Sequence, residues 1–214
     1  MFVFFAAILS SAAAADICCS PDQWQADVGL VMGRVSNGKT SFIEGMMHTS
    51  YDAVNKIVAY DQELSVDGFQ LKQRIVSDYK NNVMYKVRDG VCNRTKIDNW
   101  VPSCIPGNAT KLSANSRYGL GGNSVNVKAY NIQYGGYDVS IAVTSDTCVP
   151  VTEVITGTLD PVFAGDYTVE MMQALTFANI KGGIANRDVF FVPAQCESQN
   201  VQMPVGKRSL FYHQ

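Results

Sequence analysis

The chain has 214 residues, of which 47% are hydrophobic and 17% charged, so it is too apolar for a disordered protein and long enough to bury one core. Its formal net charge of −2 leaves no basic excess to neutralise a phosphate backbone, which argues against nucleic acid as a partner. Only two histidines, His48 and His213, are available to build metal sites or hydrolytic triads, so we do not expect an enzyme.

The first segment of the chain indicates its compartment. Residues 1–15 form an apolar run that is too short to span a bilayer and that ends in the small-residue pattern Ala13-x-Ala15. This pattern is typical of a secretory signal peptide, and a buried N-terminal helix is the alternative. No later stretch of the sequence approaches the roughly 18 apolar residues of a transmembrane helix. We therefore expect a secreted, extracellular protein in which residues 16–214 form a single domain.

Alternating apolar and polar residues predict strands along most of the chain. From Gln25 to Gly33 the apolar positions have a period of two, which is typical of a half-buried strand. Residues 69–75 and 83–88 alternate in the same way around the turn signal Asn81-Asn82, and residues 125–134 and 137–144 do so around Gly135-Gly136. Each of these two pairs predicts a hairpin.

Two further segments, residues 149–156 and 166–181, are candidates for extended structure. Good helix formers between Val169 and Leu175 also allow a helix at the start of the second segment. Many short strands without alternating helices predict an antiparallel sandwich or partial barrel, a class that often encloses an apolar cavity. The candidate pocket residues, for each of which burial in the core is an equally good explanation, are Leu30, Met32, Phe69, Leu71 and Ile75.

One segment matches a nucleotide-binding pattern. Residues 33–40 fit the phosphate-loop pattern G-x-x-x-x-G-K-[ST], whose chemistry requires that a helix begin directly after the loop. The residues after Thr40 include few helix formers and no cap, whereas Asn37-Gly38 between two strand-like runs is a common hairpin signal. We therefore interpret the segment as a hairpin turn rather than a nucleotide site.

Other polar residues are weaker candidates for chemistry. His48 lies in a strand-like run without a carboxylate partner that the sequence makes evident, so we interpret it as a surface or cross-strand residue. Four acidic positions could ligate calcium, but they fit no twelve-residue EF-hand loop, and solvation of the surface is the simpler interpretation. They are Asp160, Asp166, Glu170 and Asp188.

The cysteines and the glycosylation motifs agree with export. An even number of cysteines in an oxidising compartment predicts disulfides, and fifteen pairings of six cysteines are open from sequence. The cysteines are Cys18, Cys19, Cys92, Cys104, Cys148 and Cys196. Asn-x-Thr motifs at Asn93 and Asn108 lie on either side of Cys104 in a polar stretch, so we expect a glycosylated loop that faces water.

Six short motifs, taken in order, carry a family resemblance. They are Cys19-x-Pro21-x-x-Trp24, Tyr51-Asp52-x-x-Asn55, Trp100 with Ile105-Pro106-x-Asn108-x-Thr110, Tyr118-Gly119-x-Gly121-Gly122, Cys148-x-Pro150-Val151, and Phe190-x-x-Pro193-x-x-Cys196. Their order and spacing resemble the ependymin-related family, with the invertebrate type as the expected subgroup, over nearly all of the chain after residue 15.

The resemblance implies a mainly β fold of two stacked, curved antiparallel sheets, similar to bacterial lipoprotein carriers, with an apolar pocket between them and a tendency to form homodimers. It also implies the disulfides Cys19–Cys148 and Cys92–Cys196, which leaves Cys18–Cys104, although Cys18 and Cys19 could exchange roles.

The function implied by the resemblance is that of a secreted, non-enzymatic glycoprotein that binds a hydrophobic or lipid-like molecule. Whether it also binds calcium is left open by the resemblance. The alternative is a structural component of an extracellular, calcified matrix with calcium-linked adhesion between cell and matrix.

Overall fold

The computed structural model describes residues 17–98, 100, 103–134, 136–159 and 169–196. The predicted signal peptide, residues 1–15, lies outside them, as does His213. The described residues form strands β1 (Cys18–Cys19), β2 (Gln23–Ser36), β3 (Lys39–Asp52), β4 (Ile57–Val66), β5 (Phe69–Asp78), β6 (Val83–Arg88), β7 (Val91–Lys96), β8 (Cys104–Ile105), β9 (Thr110–Tyr118), β10 (Val125–Tyr134), β11 (Tyr137–Thr144), β12 (Pro150–Leu159) and β13 (Val169–Gly182). Short 3₁₀ turns lie at Gly121–Asn123, Arg187–Phe190 and Ala194–Cys196.

Eleven of these strands form one antiparallel sheet. Their order is β7-β6-β5-β4-β3-β2-β13-β12-β11-β10-β9, and β1 pairs with β8 in a separate two-stranded ribbon. All neighbours in the large sheet are consecutive in the chain except β2 and β13, which join its two halves. The prediction of a mainly β fold built from large antiparallel sheets is confirmed, and the β2–β13 pairing makes the two halves continuous.

The β2–β3 hairpin explains the phosphate-loop pattern. Asn37 has φ 50° and Gly38 has φ 70°, the left-handed pair that a two-residue hairpin turn requires. Strand β3 begins at Lys39, so no helix follows the loop and no amides are presented to a phosphate. The turn also sets the register, because the residue numbers of every cross-strand pair between β2 and β3 add to 75.

Most of the other predicted elements are confirmed, and one alternative is wrong. The hairpins β5–β6 and β10–β11 form as expected. The helix that Val169 to Leu175 could have formed is a strand, β13, paired with β12 on one side and β2 on the other. Every second residue from Val169 to Leu175 is buried, and this burial outweighs the weak helix propensity of the segment.

The core lies on one face of the large sheet, which we call the inner face. Alternation along β2 directs Ala26, Val28, Leu30 and Met32 to this face, and their cross-strand partners extend it over the neighbouring strands. The opposite surface is the outer face. The buried residues of the main core are Trp24, Ala26, Val28, Leu30, Met32, Met47, Tyr51, Val58, Tyr60, Leu64, Ile75, Tyr79, Met84, Ile97, Leu175 and Phe177.

A segment near the end of the described chain covers part of the outer face. Residues 187–196 pack on β4 to β7, where Phe190 contacts a second, smaller core that contains Cys92 and Cys196. Arg74 bonds the backbone of this segment, since its Nη2 donates to the Val189 carbonyl oxygen at 2.6 Å. The disulfide Cys92–Cys196 joins the segment covalently to β7, as the resemblance implied.

The other two disulfides correct the predicted pairing. The structure joins Cys18 to Cys148 and Cys19 to Cys104, so the pairs Cys19–Cys148 and Cys18–Cys104 are wrong and the exchange left open by the sequence is what occurs. The reason is the register of the β1–β8 ribbon, in which Cys19 lies directly opposite Cys104. Side chains alternate along a strand, so Cys18 points to the other side, where it meets Cys148.

Candidate ligand-binding face

Four aromatic residues close one end of the inner face. Trp24 of β2 stacks on Tyr51 of β3 with ring centroids 5.4 Å apart, and Trp100 lies 5.3 Å from Tyr51 and 5.3 Å from Tyr79. The backbone N–H of Ser103 donates to the Tyr51 hydroxyl at 3.0 Å, which fixes the segment that carries Trp100 over the sheet. Burial raises the pKa of both Tyr51 and Tyr79. We call this the sealed end.

The motif Tyr51-Asp52-x-x-Asn55 forms the turn next to the sealed end. The buried Asp52 carboxylate accepts hydrogen bonds from the Asn55 backbone N–H at 3.0 Å and from Asn55 Nδ2 at 2.7 Å. Burial raises the pKa of Asp52, but the hydrogen bonds from Asn55, together with one from Gln23 and the charge of Arg187, outweigh it and hold the pKa below its usual value. This motif therefore shapes the chain reversal into β4 and has a structural role.

Exposure increases along the inner face from the sealed end to the opposite end. At the sealed end each side chain of one cross-strand row is at most 3% exposed: Trp24, Tyr51, Val58 and Ser77. At the other end the row consists of Met32, Ile43, Val66 and Phe69, of which Met32 is 4% and Phe69 is 79% exposed. Ile43 and Val66 are partly buried. The inner face thus leaves apolar side chains accessible beside the turns Asn37-Gly38 and Asp67-Gly68. We call this part of the inner face the open end.

The predicted pocket residues all lie on the inner face, but their environments differ. Leu30, Met32 and Ile75 are buried in the main core, and Leu71 packs against it. Phe69 is exposed, so it is not part of the core, and its role as a pocket residue stays a prediction. It is the first residue of β5, beside the Asp67-Gly68 turn and beyond the packed part of the sheet. Phe69 therefore lies at the rim of the open end.

A carboxyl group that the sequence analysis missed lies within the inner face. Glu153 of β12 is directly opposite Leu175 of β13 and Ile141 of β11, and it is only 4% exposed. Its Oε2 atom has no hydrogen-bond partner among the described residues. Burial raises the pKa of Glu153 to about 8. The signal was the alternation of Val151, Glu153 and Ile155, but Thr152, Val154 and Thr156 give the other face a similar mixture.

A row of polar side chains crosses the outer face. His48 Nδ1 lies 3.0 Å from Asp27 Oδ1, Asn179 donates to Asp27 Oδ2 at 2.7 Å, and Arg74 contacts Asp61, the cross-strand neighbour of His48. The hydrogen bonds to His48 and then to Asn179 lower the pKa of Asp27. His48 is an exposed cross-strand residue, and its carboxylate partner, which the sequence did not make evident, follows from the register set by Asn37-Gly38. None of these side chains is a Ser, Thr or Cys nucleophile, so the row is a charge network.

Two open clefts lie over the outer face. One, of about 540 Å³, is lined by this charge network together with Glu63, Lys72 and Asp89. The other, of about 550 Å³, lies near the Asn37-Gly38 turn beside exposed apolar side chains of β13, β2 and β3. We call these side chains the outer patch: Val31, Val35, Phe42, Met46 and Met172.

The remaining predicted sites are only partly within the described residues. There, no group of three or more His, Cys, Asp or Glu side chains is close enough to hold a metal ion, and neither Glu170 nor Asp188 belongs to one. Asp160 and Asp166 lie outside the described residues. Both glycosylation candidates are exposed, but Asn93 lies in the edge strand β7 rather than in the expected loop, whereas Asn108 is in the loop before β9.

No helix among the described residues has the length and hydropathy needed to cross a membrane.

Comparisons with known proteins place the chain in a family. The model of the Ependymin family matches residues 69–196, and no curated protein sequence is a significant match. A similar solved structure is an uncharacterised conserved protein from Thermus thermophilus, with 12% identity, a TM-score of 0.38, and coverage of 87% of this chain and 90% of that one. A DUF1329 family protein from Desulfovibrio piger has 11% identity, a TM-score of 0.34, and coverage of 78% and 89%. Because the family model spans more than half of its length, the chain belongs to the ependymin family.

Proposed function

We propose that the chain is a secreted, non-enzymatic glycoprotein that binds a hydrophobic or lipid-like molecule against the inner face of its sheet. The observation that carries this proposal is the gradient of exposure along the inner face, which is closed by aromatic rings at one end and has accessible apolar side chains at the other. An apolar surface of this kind holds a ligand by burial and needs no reactive group.

The energetics of such a site are sufficient for binding. Burial of apolar surface contributes about 25 cal/mol per Å², so a single acyl or alkyl chain gains several kcal/mol before the cost of association. The three disulfides stabilise the sheet and its covering segments, which suits an oxidising extracellular medium. Glycans at the exposed Asn93 and Asn108 would add to its solubility outside the cell.

A matched pair of variants tests the location of the site. Phe69→Ser removes an exposed ring at the open end of the inner face, and Phe42→Ser removes a half-exposed ring from the outer face. We expect Phe69→Ser to weaken the binding of 1-decanol about fivefold in titration calorimetry, because the ring's contact with the alkyl chain is lost. Phe42→Ser should leave the affinity unchanged. Equal effects of the two variants would contradict a site on the inner face.

The native ligand is tested separately. Native mass spectrometry of the secreted protein, followed by organic extraction, should show a stoichiometric apolar molecule. If the protein is free of ligand, does not bind 1-decanol, and is recovered chiefly from an insoluble matrix fraction, the structural matrix function replaces the one proposed.

A further inference from the structure

Glu153 is a carboxylic acid surrounded by apolar side chains. Its cross-strand row contains Leu30, Leu175 and Ile141, and its neighbours two residues away on β12 are Val151 and Ile155. A buried polar atom without a partner costs free energy, and a buried carboxyl group costs the most when it is ionised. An apolar residue at this position would avoid that cost.

No cation of the described chain compensates this carboxyl group. The inner-face positions of β13 from Val169 to Phe177 and of β11 from Val139 to Val143 carry no ionisable side chain, and burial is the sole cause of the raised pKa. The inner-face cations nearest in register are Lys128 of β10 and Lys111 of β9, and Arg34 of β2 lies further along the sheet. Lys128 donates to the Ser145 carbonyl oxygen at 3.0 Å, and Lys111 is an exposed residue three strands from Glu153, beyond Ile141 and Tyr130.

The surface next to Glu153 remains accessible in part. Ile141 and Ile155, which flank it on β11 and on its own strand, are only partly buried, as is Val139 in the next row. Gln173, the cross-strand partner of Ile155, is a buried amide diagonal to Glu153. A polar head group that enters along these residues meets one carboxyl and one amide within an apolar wall.

We propose that Glu153 binds the protonated amine of the ligand, which is therefore an amphiphile with an alkyl or other apolar body and a cationic head. This inference rests on the proposed function, because it names the chemical class of the molecule held at the inner face. A neutral hydroxyl group could bond the protonated carboxyl, whereas a cation supplies the counter-charge that allows the buried carboxyl to ionise.

Binding of an amine requires that a proton leave the site. With a pKa raised to about 8, the Glu153 carboxyl is mostly protonated at pH 7 in the free protein. An ammonium group beside it stabilises the ionised form, so the carboxyl releases its proton to the buffer and the resulting carboxylate pairs with the ammonium. Binding of an amine at pH 7 should therefore release most of one proton per amine bound.

Titration calorimetry at pH 7, with n-decylamine and 1-decanol as probes, measures both the affinity and the proton release. The proton release is obtained by repeating the titration in buffers of different ionisation enthalpy. The variant is Glu153→Gln, which keeps the shape and removes the charge, and the matched control is Glu170→Gln on the exposed side of the same sheet. We expect Glu153→Gln to weaken the binding of n-decylamine at least tenfold and to abolish proton release, while its affinity for 1-decanol changes less than twofold. Glu170→Gln should bind both probes as the wild type does.

The outcomes separate the inference from the proposed function. If both probes bind the wild-type protein but n-decylamine releases no proton, or binds the Glu153→Gln variant equally well, the amine site is refuted and the apolar site stands. If neither probe binds, both are refuted.

Discussion

The carboxyl group of Glu153 should make the stability of the protein depend on pH in a direction opposite to that of most acidic residues. Its pKa is raised from an ordinary value of 4.5 to about 8 in the folded protein, so the folded state holds a proton over a range in which the unfolded state has lost it. The contribution of Glu153 to stability is therefore fully present below about pH 4.5 and is lost as the pH rises through 8.

The magnitude follows from the shift. One pKa unit corresponds to 1.36 kcal/mol, so the difference between 4.5 and about 8 amounts to about 5 kcal/mol of stability lost by pH 9, and about 3 kcal/mol by pH 7. Glu153→Gln removes the titration. We therefore expect this variant to exceed the wild type in free energy of unfolding by less than about 1 kcal/mol at pH 5, by about 3 at pH 7 and by about 5 at pH 9.

Urea unfolding with the disulfides intact, followed by the fluorescence of Trp24 and Trp100, measures these differences. The comparison uses the difference between variant and wild type at each pH, because the other titrating groups contribute equally to both proteins. Glu170→Gln serves as the control and should show a constant difference near zero. A difference between Glu153→Gln and wild type that is the same at pH 5, 7 and 9 would refute the burial of an unpaired carboxyl group.

Three other changes test the scaffold. Gly45 has φ 155°, and a Cβ at this position would lie 2.2 Å from the Glu63 carbonyl oxygen. Gly45→Ala should therefore lower the free energy of unfolding in urea by about 2–4 kcal/mol. Gly33→Ala is the control and should cost far less, because a Cβ at Gly33 meets nothing within 4 Å. Asn55→Ala removes the Nδ2 donor from the buried Asp52 carboxylate but keeps the backbone N–H donor, and it should cost about 1–3 kcal/mol by the same assay. If the outer patch is a dimer interface, Met172→Lys should shift sedimentation toward monomer, and an unchanged sedimentation coefficient would argue against it.

Local patterns predicted the hairpins because turn chemistry and alternation agree there. In β2 and β3 the Asn37-Gly38 turn and a period of two select the same register, and this register also determines the Asp27–His48 contact across the outer face. Alternation does not reveal where the packed core ends. Phe69 therefore has the correct face but lies beyond the part of the sheet that is covered.

Features that depend on distant parts of the chain were not accessible from the sequence. The sequence made residues 166–181 a candidate for extended structure but also allowed a helix between Val169 and Leu175, and it is the pairing with β2, far away in sequence, that decides for the strand. The disulfides of Cys18 and Cys19 depend on the β1–β8 register, which no local signal specifies. The burial of Glu153 similarly requires knowledge of which face of β12 meets the core, and both faces of that strand carry apolar and polar residues.

Four residues that carry the family resemblance lie away from Glu153, although a fifth, Val151, is its neighbour on β12. Trp24, Tyr51, Asn55 and Trp100 all belong to the sealed end or to the turn beside it, where they pack rings or hold a chain reversal. Glu153 and the open end lie outside these motifs. In this chain, Trp24, Tyr51, Asn55 and Trp100 therefore have structural roles, whereas the inner-face side chains around Glu153 would determine the ligand. In this protein, an unpaired carboxyl within an apolar wall favours an amine over a neutral or anionic head group.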